Sequence, residues 1–200
     1  MKNVRNSALV ALLAIISPVS ALDKEKAFKA GRAETYPAKS EQGKVVVAVV
    51  PLSTADEIRR AFGKADLLKH NVLPVLVVID NNSTRALKVN LQSEYINAAG
   101  KHLDATPAGD IMYLNGVKRP QGPEQVRLPI PTRKAKNKLE AWEVTGRAFA
   151  AKLIPPGESV SGFVYFQTSR EPGAKIYLNG LSEAGGNDLF YFEIPLPLGQ

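Results

Sequence analysis

The sequence predicts a mainly β domain: an antiparallel β-sandwich with a short helix near residues 54–62 and a helical insertion near residues 139–153. Three observations predict it. Short runs of β-branched and aromatic residues recur along the chain and are separated by turn residues. Several runs alternate apolar with polar residues, as strands with one buried face do. Hydrophobic residues make up 44% of the chain, which is enough for a packed core.

The first 21 residues have the three zones of an export signal. Lys2 and Arg5 form a short positive region, residues 8–16 are an uncharged apolar stretch, and residues 19–21 suit a signal peptidase. A membrane-spanning helix needs about 20 apolar residues, so an uncleaved anchor fits the short stretch less well. We therefore expect cleavage after Ala21 and an exported protein, periplasmic or secreted, that is soluble or peripherally attached.

Composition narrows the kinds of chemistry and of partner. The chain has no cysteine, which excludes disulfides, thiolate metal sites, cysteine nucleophiles and a lipid anchor on cysteine. Loss of Lys2 and Arg5 with the signal lowers the 26 basic residues to 24, against 19 acidic residues. Because nucleic acid is a poor candidate partner for an exported protein, we expect the basic residues to face another envelope protein, anionic lipid or a cell-wall polymer.

Residues 22–43 are polar and predict a mobile lead-in, followed by a single domain over residues 44–200. Lys44–Pro51 is rich in β-branched residues and predicts the first strand. The short helix comes next, because Thr54 and Glu57 have the spacing of a capping box.

The middle of the chain predicts a buried strand, its partner and a hairpin. Leu73–Asp80 is nearly all apolar, so we expect it to be buried on both faces. Residues 87–92 alternate apolar with polar residues and predict a half-buried partner strand. Glu94–Ala98 and Lys101–Ala105 flank a turn and predict the hairpin.

The second half contains a basic segment, a helix and three strands. Residues 117–138 hold seven basic residues, one acidic residue and four prolines, and predict an extended, solvated excursion. In residues 139–153 apolar side chains recur at helical spacing, so we expect their stripe, with Trp142, to face the core. The last strands are predicted at Ser159–Thr168, Ala174–Leu181 and Leu189–Pro195.

The basic segment and the tryptophan that follows it are the candidate partner-binding residues. Prolines reduce the conformational entropy lost on docking, and lysine and arginine engage carboxylates and phosphates. A tryptophan can anchor an interface. The alternative is a solvated loop beside a helix that only packs on the sheet. The candidate residues are Lys118, Arg119, Arg127, Arg133, Lys134, Lys136, Lys138 and Trp142.

Catalytic and metal-binding patterns are missing from the sequence. His70 lies four residues after Asp66, and His102 lies two residues before Asp104, but neither pair supplies the three or four ligands of a metal site. Residues 157–161 lack the last glycine of a nucleophile elbow. The sequence therefore predicts no metal, no cofactor and no catalytic residues.

Two stretches resemble a known kind of domain. Leu73–Ser83, a strand that ends in an asparagine-serine turn, resembles the first core strand of small exported bacterial proteins with an immunoglobulin-like β-sandwich. Pro155–Ser159, followed by Gly162–Phe166, resembles a later strand pair of these domains. The resemblance implies an antiparallel immunoglobulin-like sandwich that acts as a binding or assembly module and has no catalytic residues.

These observations lead to three hypotheses about function. The first is a non-catalytic envelope protein that binds another protein through exposed strand edges or the basic segment. The second is a peripheral binder of anionic lipid or cell-wall polymer, whose binding would weaken with salt. The third is a periplasmic hydrolase, which would require carboxylates and a histidine to converge. The sequence indicates no oligomeric state.

Overall fold

Two antiparallel β-sheets pack against each other in the computed structural model, which describes residues 28–114, 139, 142–186 and 189–197. The predicted export signal and basic segment lie outside these residues. The described part is mainly β, as the sequence predicted. No helix in it is long and apolar enough to cross a membrane.

Nine strands and three α-helices are described. The strands are β1 (Lys39–Gln42), β2 (Val45–Pro51), β3 (Leu73–Asn81), β4 (Leu87–Ile96), β5 (His102–Asp104), β6 (Leu153–Ile154), β7 (Ser159–Phe166), β8 (Lys175–Glu183) and β9 (Leu189–Pro195). The helices are α1 (Ala55–Phe62), α2 (Ala108–Ile111) and α3 (Trp142–Gly146), with 3-10 turns at Ala33–Thr35 and Leu68–His70. The first sheet has the order β1-β2-β3-β7, and the second has β5-β4-β8-β9, with β6 also paired to β4.

Strand β3 lies at the centre of the fold and all nine of its residues are buried. Its inner face, which includes Val77, packs against the second sheet, and its outer face, which includes Val78, packs against the helices. Burying one such side chain stabilises the fold by about 1.5–3 kcal/mol. The predicted burial of this strand on both faces is therefore confirmed.

Helix α1 covers the outer face of the first sheet and begins as predicted. The Thr54 hydroxyl accepts a hydrogen bond from the Glu57 amide, and the Glu57 carboxylate accepts one from the Thr54 amide. Ile58 and Phe62 face the sheet, where the Phe62 ring lies 4.6 Å from that of Phe163. The capping box thus fixes where the helix starts, and its apolar face fixes how the helix packs.

The predicted mobile lead-in is wrong for the residues that the structure describes. Ala33 is fully buried, and Lys39–Gln42 pairs with β2 as an edge strand. The buried Asp80 carboxylate accepts hydrogen bonds from the Ala33 amide (3.0 Å) and from the Arg32 side chain (3.3 Å). This polar stretch is ordered because it bonds to Asp80. Asp80 lies 47 residues after Ala33, so no local sequence pattern reveals the contact.

The predicted helix over residues 139–153 is also wrong in length, since α3 spans only Trp142–Gly146. Beyond it the chain runs beside β7. The Phe149 amide donates to the Phe163 carbonyl (2.9 Å), and the Phe163 amide donates to the Arg147 carbonyl (2.8 Å). These bonds pair backbone groups on the open edge of β7. Their stabilisation outweighs the helical preference of the local sequence.

We predict that Gly180→Ala destabilises the fold by about 3–5 kcal/mol, measured as a shift in urea denaturation. Gly180 has φ +84° and lies where the β4–β8 register shifts. A Cβ there would lie 2.0 Å from the Asn90 carbonyl oxygen, so the two strands would have to separate.

Gly100→Ala is the matched control for this variant. Gly100 has a similar φ of +77°, but nothing lies within 4 Å of a Cβ at that position. Its substitution should cost only the left-handed backbone penalty of about 1–2 kcal/mol. Equal losses in the two variants would contradict the close approach of β8 to β4.

A second prediction concerns Glu57, whose substitution by glutamine should lower stability by about 0.3–1 kcal/mol at neutral pH. Partial burial raises the pKa of this carboxyl, but hydrogen bonds from Thr54 and Ser53 and the charge of Arg60 outweigh it and hold the pKa below its ordinary value of 4.5. The ionised form therefore stabilises the fold above pH 4.5, and this contribution disappears as the pH falls through the lowered pKa. Denaturation of both proteins from pH 7 to pH 2 measures it. A difference that stays constant over this range would contradict the assignment.

Candidate functional site

The described residues bring few chemically reactive groups together. They include no group of three or more histidine, aspartate or glutamate side chains placed to hold a metal ion. His102 pairs with Glu94 across the β4–β5 hairpin, with Nδ1 and Oε2 2.6 Å apart. His70 lies in the 3-10 turn before β3.

An exposed surface of aromatic and polar side chains lies where the first sheet meets the second. It is a shallow groove of about 520 Å³ between β1 and β9, and we call it the tyrosine groove. Its lining residues are Ser40, Glu41, Gln42, Tyr177, Tyr191 and Glu193. It opens on the outer face of the second sheet, whereas the helices cover the outer face of the first.

Strand β9 builds one wall of the groove through strict alternation. Phe190, Phe192 and Ile194 are buried between the sheets. The residues between them face solvent, and Leu189 and Tyr191 are 71% and 61% exposed. A strand that buries every second residue must present the others on its outer face. Two large hydrophobic side chains are thereby displayed side by side.

Strand β1 builds the other wall and is held by the turn that follows it. Gly43 and Lys44, with φ of 55° and 66°, form the two-residue hairpin turn between β1 and β2. Position 43 must also be small, because a Cβ there would lie 2.9 Å from the Phe190 ring. The turn thus places Gln42 beside β9, where its Oε1 accepts a hydrogen bond from the Tyr191 amide (3.2 Å).

The groove carries more acidic than basic groups in a chain whose formal net charge is +7. Lys175 Nζ lies 2.6 Å from Glu193 Oε1, on the strand next to β9. Glu41 is exposed and makes no ion pair with any described residue. The tyrosine rings can stack on a ligand, and the amide of Gln42, the hydroxyl of Ser40 and the carboxylate of Glu41 can hydrogen-bond to it. No strong nucleophile lies among these groups.

Two strand edges, those of β9 and β7, are partly blocked from pairing with another chain. Backbone groups of odd-numbered residues in β9 point away from β8, because the even-numbered Leu196 donates to Ala174 on the β8 side (2.9 Å). Gln42 occupies the outward Tyr191 amide, and Pro195 has no amide to offer. The open edge of β7 is covered in part by Thr106, which donates to the Tyr165 carbonyl (2.7 Å). At these positions, strand pairing with another chain is hindered.

The structure describes only one of the eight candidate partner-binding residues, Trp142. The seven basic residues of segment 117–138 lie outside the described part. Trp142 is described and is 72% exposed, so the expectation that it faces the core is wrong. The short α3 buries Val144 instead, while the Trp142 ring rests over Gly146. Trp142 belongs to the helical layer on the first sheet and takes no part in the tyrosine groove.

Sequence reasoning missed the groove residues although it predicted β9 and most of β8. The available signal was the alternation in Leu189–Pro195, which separates Tyr191 from two phenylalanines. It shows that Tyr191 and Phe190 face opposite sides of the sheet. Only the packing of the two sheets shows which side meets solvent.

Comparison with known proteins adds little. No protein-family model and no curated protein matches the chain. The chain is similar to a solved structure described as Northeast Structural Genomics Consortium target SoR45, with 15% identity, coverage of 78% of this chain and 87% of that one, and a TM-score of 0.33. It is also similar to the "Putative ApaA Protein from Bordetella pertussis", with 13% identity, coverage of 76% and 88%, and a TM-score of 0.33. Such scores do not establish a shared fold, and neither description states an activity.

We predict that Gln42→Ala lowers the hydrogen-exchange protection of the Tyr191 amide by about two- to tenfold, the value of one hydrogen bond. The variant removes the acceptor that joins the two sheets at this edge. NMR-detected exchange measures it. Gln92→Ala, on the exposed face of β4, is the control and should leave Tyr191 unchanged. Unaltered exchange in Gln42→Ala would show that this bond does not protect the edge.

Proposed function

We propose that the chain is an exported, non-catalytic envelope protein, a protein-binding or assembly module that contacts its partner through the tyrosine groove. The observation that carries this proposal is the cluster of exposed Leu189 and Tyr191 with half-buried Tyr177, on a sheet face that no helix among the described residues covers. Contiguous exposed hydrophobic side chains rimmed by polar groups mark interaction sites. The N-terminal signal pattern supports the export that this proposal includes.

We further propose that the sandwich is of the immunoglobulin-like type. The order of β2-β3-β7 in one sheet and β4-β8-β9 in the other follows the order of strands A-B-E and C-F-G in immunoglobulin domains. Strand β5, beside β4, takes the position of the additional strand in the variable type. Modules of this architecture commonly bind other proteins, which agrees with the proposed role.

Tyrosine is well suited to the proposed contact. Its ring contributes a large contact area and has only two side-chain torsions to order, so little entropy is lost on binding. Tyr191 is also held in place, because its neighbours Phe190 and Phe192 pair with β8 and its own amide donates to Gln42. A rigid aromatic side chain is typical of the few residues that contribute most of the energy of an interface.

The proposal predicts that a photo-crosslinker in place of Tyr191 captures a discrete protein partner in native envelopes. Benzoylphenylalanine at position 153 is the matched control. Leu153 is 53% exposed on β6, three strands away in the same sheet. Mass spectrometry of the adducts is the measurement. We expect an adduct from position 191 that is absent from position 153 and that decreases about tenfold in a Tyr177→Ala background.

Two results would contradict the proposal. Identical adducts from positions 153 and 191 would indicate unspecific collision with abundant proteins. No adduct from position 191, in a protein that folds and is exported, would exclude the groove as the contact surface.

A further inference from the structure

The chemistry of the tyrosine groove matches one kind of ligand, and we propose that it binds the proline-rich basic segment, residues 117–138, of a second copy of this chain. This inference rests on the proposed function and adds to it the identity of the partner. The groove offers tyrosine rings and acidic groups, and the segment offers prolines and basic residues.

The two tyrosines are placed as a platform for proline. Tyr177 lies opposite Glu193 in the β8–β9 pair, so Tyr191, two residues before Glu193, is its diagonal neighbour on the same face. Diagonal neighbours in a sheet lie about 7–8 Å apart. Prolines three residues apart in a polyproline helix lie about 9 Å apart, because each residue rises about 3.1 Å. Aromatic-lined grooves recognise proline-rich segments in this way.

The acidic groups of the groove add a charge requirement. Glu41 has no ion pair with a described residue, and Glu193 accepts from Lys175 through only one of its two oxygens. Lys39 is close, but its Nζ donates to the Glu34 backbone carbonyl (2.5 Å). A guanidinium that reached Glu41 would form a charge-assisted hydrogen bond without displacing an existing pair.

The segment has both features that the groove requires. It holds four prolines, among them Pro120 and Pro123 three residues apart, and it holds seven basic residues against one acidic residue. Its prolines reduce the entropy that an extended chain loses on docking. Few other stretches of the sequence combine proline with such an excess of positive charge.

A second copy is the source that the geometry favours. The chain leaves the described structure at Leu114 and is next described at Leu139, and both residues pack in the helical layer on the first sheet. The groove opens on the other side of the sandwich, on the face of the second sheet. A segment from the same chain would have to pass around the sandwich. Two copies can instead exchange segments reciprocally, which closes a dimer with two identical contacts.

A labelled peptide with the sequence of residues 117–138, titrated onto the full chain, tests the ligand. Fluorescence anisotropy should show binding that weakens about tenfold in Tyr191→Ala and stays unchanged in Leu153→Ala. A second peptide, with serine in place of the four prolines, keeps every charge and should bind about tenfold more weakly. Equal binding of the two peptides would show attraction by charge alone and would overturn the proposal.

Sedimentation velocity of the full chain tests the second copy. We expect a concentration-dependent dimer that Tyr191→Ala converts to monomer. A chain that stays monomeric while the peptide binds would overturn the second copy as the source. If neither peptide binds but crosslinks from position 191 persist, this inference fails and the proposed function stands. If the crosslinks are absent as well, both fail.

Discussion

Two buried polar residues at the end of β3 hold the parts of this sandwich together. Asp80 accepts hydrogen bonds from the Ala33 amide (3.0 Å) and the Ser159 hydroxyl (2.5 Å). The Asn81 side-chain amide donates to the carbonyls of Arg85 (2.8 Å) and Ile154 (3.0 Å). The N-terminal segment, the crossover to the second sheet and the start of β7 therefore meet at one point. Leaving a buried polar group without its hydrogen-bond partner costs about 1–3 kcal/mol, so each of these elements stabilises the others.

The tyrosine groove is a distant consequence of this arrangement. With the end of β3 fixed, β2 pairs along the whole of it, and the Asn82 amide donates to the Lys44 carbonyl (2.9 Å) at the start of β2. The tight turn between β1 and β2 then places β1 along the edge of the first sheet, where the Gln42 side chain accepts from the Tyr191 amide. Each wall of the groove is thus tied to the core, one through the turn into β2 and the other through the buried residues of β9.

Most of the fold could be predicted from local patterns, whereas the candidate site could not. The sequence predicts the buried strand at Leu73–Asp80 and the capping box at Thr54, because burial on both faces and helix capping depend on residues close together in the chain. Residues 147–152 and the N-terminal segment were misjudged because their backbone partners, Phe163 and Asp80, are remote in sequence. The groove joins residues 149 positions apart, and no spacing rule reaches that far.

The composition of β9 suggests that the groove is more than a by-product of folding. Burial of Phe190, Phe192 and Ile194 forces the residues between them to face outward, but it does not decide what those residues are. Glu193 shows that the fold accepts a charged side chain at such a position. The bonded Tyr191 amide and Pro195 hinder sheet pairing at β9, and neither depends on a tyrosine side chain at position 191. Folding therefore does not require a tyrosine at position 191, and the proposed contact gives a reason for its presence there.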